Sequence, residues 1–135
     1  MGYRGFDAAG TEPLFPFGHG LSYGEADWGD ASLSTDAVRG GEGVELTVPI
    51  RATGERAATV VVQAYLSGPD GFGRPPKVLA GFAKVTVAPG AEEQVVVTVA
   101  PEAFRRWDGD GWVVDEGTWE VVVAASATDV RQRLA

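Results

Sequence analysis

Between Val44 and Ala52 the side chains alternate without a break: Val44, Leu46, Val48 and Ile50 on one parity, Glu45, Thr47, Pro49 and Arg51 on the other. Successive side chains of an extended chain point to opposite faces, so this pattern fits a strand with one face buried and one in water. Pro49 has no amide proton, and its nitrogen must therefore point away from a ladder partner.

The same texture recurs downstream. Ala58–Ser67 (ATVVVQAYLS) is apolar on both parities and predicts a buried strand, with the inward face left open. A loop, Gly68–Pro76, leads to a strand over Val78–Ala88 that ends at Pro89-Gly90, a pair suited to a type II turn. Glu92–Ala100 places Val95, Val97 and Val99 on one face. Further strands are predicted over Trp112–Val114, entered from a turn at Asp108–Gly111, over Thr118–Ala125 and over Asp129–Leu134. A short first strand at Ala31–Thr35 precedes a turn built on Gly40, Gly41 and Gly43. Pro101–Trp107 has room for one helical turn, with Pro at a first helical position. Short strands at this spacing in 135 residues favour one all-β domain, a sandwich or barrel, and the period-2 runs and turn spacing predict a two-sheet antiparallel sandwich of about seven strands.

Composition narrows the function. The net charge of −8 opposes phosphate backbones and anionic bilayers, so neither nucleic acid nor a membrane surface is an expected partner. Without cysteine there is no disulfide framework or thiolate metal site, and a single histidine, His19, cannot build a histidine cluster. Neither a metal nor another cofactor is expected. The opening MGYRGFDAAG has no basic and apolar leader pattern, and no apolar run approaches the ~20 residues needed to span a bilayer. The compartment is left open.

From Met1 to Tyr23 the chain is rich in Gly, Pro and aromatics without a helical or strand period and reads as an irregular connection. Leu14, Phe15, Phe17, Leu21 and Tyr23 are too apolar for a free tail, so the segment is expected to lie on a surface. Two regions follow from this reading: residues 1–28, an apolar strap, and residues 29–135, the sandwich.

The order of motifs, GYRGFDAAGTEPLFPFGHGLSYG, VVVQAYLSGP, RPPKVLAGFAKVTVAPG and WDGDGWVVDEGTWEVVVAASATDVR, resembles the C-terminal part of family 3 glycoside hydrolases, typically β-glucosidases and β-xylosidases. The resemblance covers nearly the whole chain, and Pro13–Tyr23 (PLFPFGHGLSY) is its most specific block. It implies an immunoglobulin-like, fibronectin type III-like β-sandwich that packs on and stabilises the catalytic domains of a parent glycosidase. It also implies that both catalytic carboxylates lie upstream, so that the chain is not an enzyme on its own. Two positions depart from the pattern: Ala52-Thr53-Gly54 stands where Asn-Thr-Gly is usual, and Gly24 where Thr is common.

Candidate interdomain contacts are Leu14, Phe15, Phe17, His19, Leu21, Tyr23 and Lys77, the last in the rigid turn Arg74-Pro75-Pro76-Lys77. Asp27, in Ala26-Asp27-Trp28, stands out only because the family nucleophile lies in Ser-Asp-Trp; the context, after the strap block, is not that of a barrel strand. Asp108, Asp110, Asp115 and Glu116 lack the spacing of a calcium loop and read as a solvated hairpin. Trp28, Trp112 and Trp119 are candidate sugar contacts, because aromatic faces suit the apolar faces of pyranose rings; four tryptophans in a sandwich also serve as core anchors. Two alternatives to the accessory-domain reading stand: a carbohydrate-binding module, and a free-standing protein-binding sandwich.

Overall fold

The computed structural model describes residues 2–39 and 41–135; Met1, and the part of the glycine turn that falls on Gly40, lie outside the described residues. Ten strands form among the described residues: β1 Ala26–Trp28, β2 Ser32–Leu33, β3 Val44–Ala52, β4 Ala58–Ser67, β5 Val78–Val87, β6 Glu92–Val99, β7 Arg105–Trp107, β8 Trp112–Val114, β9 Glu120–Ala124 and β10 Val130–Leu134. All pairings are antiparallel. One sheet pairs β3 with β6 on one edge and with β1 and β2 on the other; the second runs β10-β9-β4-β5. The β7–β8 hairpin stands apart from both.

The break between β1 and β2 has its cause in Pro49. Trp28 is opposite Ile50 and Ser32 is opposite Thr47, so the interruption faces the residue that lacks an amide proton. Only the Pro49 carbonyl is used on that side, accepting from Gly29 N at 2.8 Å. With β1 and β2 taken as one interrupted strand, three strands pack on four, and the chain is the expected seven-stranded all-β sandwich.

The alternation in β3 places Val44, Leu46, Val48, Ile50 and Ala52 in the core, where Val95, Val97 and Val99 of β6 join them. The opposing sheet contributes Val62, Ala64 and Leu66 of β4, Val121 and Val123 of β9, and Val87 of β5. The double apolar parity of β4 has a second explanation on its other face. There Tyr65, with Val122 and Ala124 of β9, forms a separate buried cluster outside the sandwich, against which Tyr3, Leu79 and Val130 pack. Both faces of β4 and β9 are therefore covered, which a simple period-2 reading cannot resolve.

The cover is the N-terminal segment. A helix, α1 (Tyr3–Ala9), occupies part of the stretch read from sequence as irregular. It ends in a Schellman arrangement: Gly10, in the left-handed region, donates to the Asp7 carbonyl at 3.3 Å and Thr11 N donates to the Phe6 carbonyl at 3.1 Å. Seven residues with Gly5 inside are too few for a helical period to show, and a helix this short depends on tertiary contacts. The sheet itself begins at Ala26, ahead of the 28/29 division, because β1 pairs with β3. The helical turn expected at Pro101–Trp107 is a 3₁₀ turn over Pro101–Phe104 only; Arg105–Trp107 is strand β7. The first strand is likewise shorter than Ala31–Thr35, and the remaining predicted strands stand within two residues of their expected bounds.

Candidate functional site

Two surfaces concentrate the chemistry of this chain, and the Gly68–Lys77 loop contributes to both. The first is the N-terminal strap. Tyr3 accepts the Leu79 amide proton at its hydroxyl at 2.7 Å and packs edge-on against Tyr65, with ring centroids 5.5 Å apart. Lys77 Nζ donates to Asp7 Oδ2 at 2.6 Å, both side chains largely shielded, and also lies 5.6 Å from the Tyr65 ring centre. Tyr65 is fully buried and donates its hydroxyl proton to Gln63 Oε1 at 2.6 Å. Burial, reinforced by nearby Tyr3 and Asp7, pushes the Tyr65 phenol up to about 12.

Beyond α1 the strap is pinned again. The Phe17 ring lies 5.8 Å from Tyr3, and the Phe17 carbonyl accepts from Ala127 N at 2.8 Å. His19 N donates to the Pro16 carbonyl at 2.9 Å, closing a turn whose third residue, Gly18, has φ 84°. A side chain at Gly18 would be strained in backbone and would collide with the Gln63 amide. At the far end Gly24 leaves no room for a Cβ against the backbone of Ala57 and Ala58. The departure from Thr at position 24 thus coincides with direct backbone-to-backbone packing. At the other departure, Ala52 is fully buried and its amide and carbonyl both pair with the turn at Gly90-Ala91.

Between these anchors the large side chains face out. Leu14, Phe15, Leu21 and Tyr23 are 94%, 77%, 95% and 93% exposed, and Phe17 is half exposed. His19 is exposed, with its ring 5.5 Å from that of Phe15. Phe82 of β5, paired with Gln63, adds a further exposed ring on the same sheet. Lys77 differs from the other candidate contacts in being engaged inside the chain, with Asp7 and Tyr65.

The second surface lies where β4 ends. Asp115, read as part of a solvated hairpin, is instead buried between two guanidinium groups. Arg74 Nε reaches Asp115 Oδ2 at 2.8 Å; Arg106 holds both carboxylate oxygens at 2.8–2.9 Å. Arg74 also donates to the Phe104 carbonyl at 2.8 Å and lies 4.5 Å from the Trp119 ring centre. Arg106, with Arg74 behind it, holds the Asp115 carboxyl below the usual carboxylate range in spite of its desolvation. This clasp ties the Gly68–Pro76 loop to the β7–β8 hairpin. Asp108 caps the hairpin turn, accepting from Asp110 N and Gly111 N at 2.9 and 2.8 Å, and these donors hold its carboxyl below the usual range.

The candidate tryptophans have three different settings. Trp28 and Trp119 pack against the core, Trp28 under Arg131 and Trp119 edge-on to Phe104. Trp112 is 67% exposed and pairs edge-on with Trp107, itself 56% exposed, at 5.7 Å. Asp27 is exposed on β1 opposite Arg51. A cleft of about 350 Å³ lies beside Leu33, Val38, Val44, Phe104, Trp119 and Val121, with Asp36 at its wall. Sequence reasoning passed over Tyr3, Asp7, Tyr65 and the Arg74–Asp115–Arg106 clasp; their partners lie 9 to 76 positions away, and no local pattern marks them.

These elements define a two-sheet antiparallel sandwich with an anchored apolar strap over its outer face. The fibronectin type III-like domain model matches residues 60–127, and the chain belongs to that family. A β-glucosidase of Rhizobium radiobacter is 41% identical over 134 residues, and thermostable β-glucosidase B of Acetivibrio thermocellus 35% over 133; the matches cover 97% and 96% of this chain but 16% and 18% of those proteins. Among solved structures, a Streptomyces venezuelae β-glucosidase in complex with D-glucose superposes with a TM-score of 0.89 at 34% identity, covering 98% of this chain and 17% of that one. β-Glucosidase 3B of Thermotoga neapolitana gives 0.87 at 34%, covering 97% and 18%. The chain thus spans under a fifth of the length of each of these four proteins.

Proposed function

We propose that this chain is a noncatalytic accessory domain of a family 3 glycoside hydrolase of β-glucosidase type, packing on and stabilising the catalytic part of its parent. The observation that carries this reading is the contrast within the strap. Its backbone is fixed at Phe17, Gly18 and Gly24, whereas Leu14, Phe15, Leu21 and Tyr23 are held almost wholly in water. Burying one such side chain is worth roughly 1.5–3 kcal/mol, and a fixed backbone has already lost the entropy that docking would otherwise cost. An anchored ridge of this kind is suited to a permanent partner, and the β-glucosidase relatives, several times longer than this chain, have the additional mass that such a partner requires.

The test is an exchange. In the Rhizobium radiobacter β-glucosidase, the matching segment is replaced by this chain, with and without Leu14→Ser, Phe15→Ser and Leu21→Ser together. The hybrid is expected to hydrolyse an aryl β-glucoside, and the triple variant to melt several degrees lower. Equal melting of the two hybrids would remove the docking role. Hydrolysis by the isolated chain, abolished by Asp27→Ala, would overturn the noncatalytic reading.

A further inference from the structure

We propose that the β7–β8 hairpin, with Trp107 and Trp112, is a contact surface for neutral oligosaccharide chains, separate from the exposed side chains of the strap. Three observations lead there. The first is cost: Trp107 and Trp112 face each other across a hairpin of three-residue strands, yet both rings are more than half exposed. Large aromatic rings kept in water on a short hairpin do not serve the core, which is closed without them.

The second is rigidity. The hairpin turn is fixed by the Asp108 carboxylate and the base by the two arginines on Asp115, so the rings are placed before any ligand arrives. Preorganised aromatic anchors bind with little ordering cost. The third is the chemistry around the rings. Asp110, in the turn between the two strands, and Glu116, two residues after β8, are exposed and without an ion pair among the described residues in a chain of net charge −8, while Arg105 of β7 is held by Glu102. Carboxylates accept hydrogen bonds from vicinal hydroxyls and repel anions, which favours a neutral sugar over an acidic polysaccharide or nucleic acid. Two rings at 75° to one another offer faces to two units of a bent chain and no single flat platform.

The hairpin is clasped through Arg74 to the loop that follows Ser67; the same loop ends at Lys77, which holds Asp7 of α1, while the far end of the strap, at Gly24, packs on Ala57 and Ala58 about 30 Å along β4. The sugar-contacting set is therefore Trp112 with Trp107. Trp28 and Trp119 are excluded from it by their packing against the core.

Affinity electrophoresis of the intact chain through gels containing laminarin, a neutral β-glucan, or polygalacturonate, an acidic one, tests this, with tryptophan fluorescence titration by cellohexaose and laminarihexaose as a solution measurement. Retardation by laminarin and a fluorescence change with at least one of the hexasaccharides are expected, with apparent affinity lowered roughly tenfold or more by Trp112→Ala. Trp107→Ala should act in the same direction, and Phe15→Ser with Leu21→Ser should leave binding unchanged. Each variant is checked for an unaltered melting profile; Trp112→His serves if Trp112→Ala does not fold. No retardation of the parent chain, retardation indifferent to position 112, or preference for polygalacturonate would each overturn the proposal. Loss of binding in the strap variants would move the sugar contact to the strap.

Discussion

The side-chain amide of Gln132 holds Ala31 across the open side of the sandwich: Oε1 accepts the Ala31 amide proton at 2.8 Å, while Nε2 donates to the Gly29 carbonyl at 2.6 Å. Gly29 and Ala31 lie in the gap that Pro49 opens between β1 and β2, where no strand ladder can satisfy them. A side chain from β10, at the edge of the other sheet, therefore takes the place of a backbone peptide and joins the two sheets. Gln132→Leu leaves both backbone groups unpaired and should cost about 1–3 kcal/mol in urea unfolding, with an unchanged slope. Gln132→Glu, which keeps an acceptor and loses the donor, should fall between the two. A leucine variant as stable as the parent would mean that water replaces the amide without loss.

Close approach of the two sheets sets a second expectation. A Cβ added at Gly81 of β5 would stand 2.6 Å from the Thr98 carbonyl oxygen and 2.9 Å from a Val97 methyl group, so backbone must move. The bulge opposite Ala64 and Tyr65 lies beside this point, where β5 leans over β6. Gly81→Ala should destabilise by about 1–3 kcal/mol. Gly5 of α1 meets nothing within 4 Å, and Gly5→Ala should stabilise the helix by up to about 1 kcal/mol. Thermal melts of the two variants should shift in opposite directions; shifts of the same sign would contradict this account of the β5–β6 contact.

What could be read from sequence followed the range of the interactions. The alternation from Val44 to Ile50 is set by near neighbours, and the strand is found over the residues the pattern marks. The turn at Pro89-Gly90 closes, with Ala91 N on the Ala88 carbonyl at 3.0 Å. Pro49 marked a ladder fault, but the helper at Gln132, 83 positions on, had no local sign. Asp115 looked like its acidic neighbours because nothing in DEG tells a carboxylate in water from one between two arginines. Likewise Asp7 and Lys77, 70 positions apart, meet only because α1 folds onto the sheet. The family resemblance located the strap, while the helix within it was too short to carry a period.

Acid should test the Asp115 clasp. Its carboxyl is held below its ordinary value by Arg106 and then Arg74, so it contributes stability that is fully present above the unfolded value of about 4 and is lost as pH falls through the depressed folded value. Asp115→Asn keeps the shape but not the charge. The variant should be less stable than the parent at neutral pH, and the difference should narrow steadily below about pH 4. Urea midpoints from pH 7 to pH 2 give the comparison. Parallel profiles would show that the ion pairs contribute nothing net to folding.

Alkali tests the opposite end of the scale and the cover that α1 provides. The Tyr65 phenol is pushed up to about 12 by burial, with Tyr3 and Asp7 adding to the effect, against about 10 in the unfolded chain. The folded state therefore keeps this proton over a window in which the unfolded state releases it. Stability from Tyr65 is fully present below about pH 10 and is lost as pH rises towards about 12. Tyr65→Phe removes the titration and leaves Gln63 Oε1 without its donor, which should cost about 1–2 kcal/mol at neutral pH. Between about pH 10 and 12 the parent should lose stability faster than the phenylalanine variant, so that the gap between them closes. Ionisations elsewhere in the chain are common to both proteins and cancel in the difference. If the gap instead stays constant up to pH 12, Tyr65 is already reached by water and α1 does not seal the outer face of the sheet.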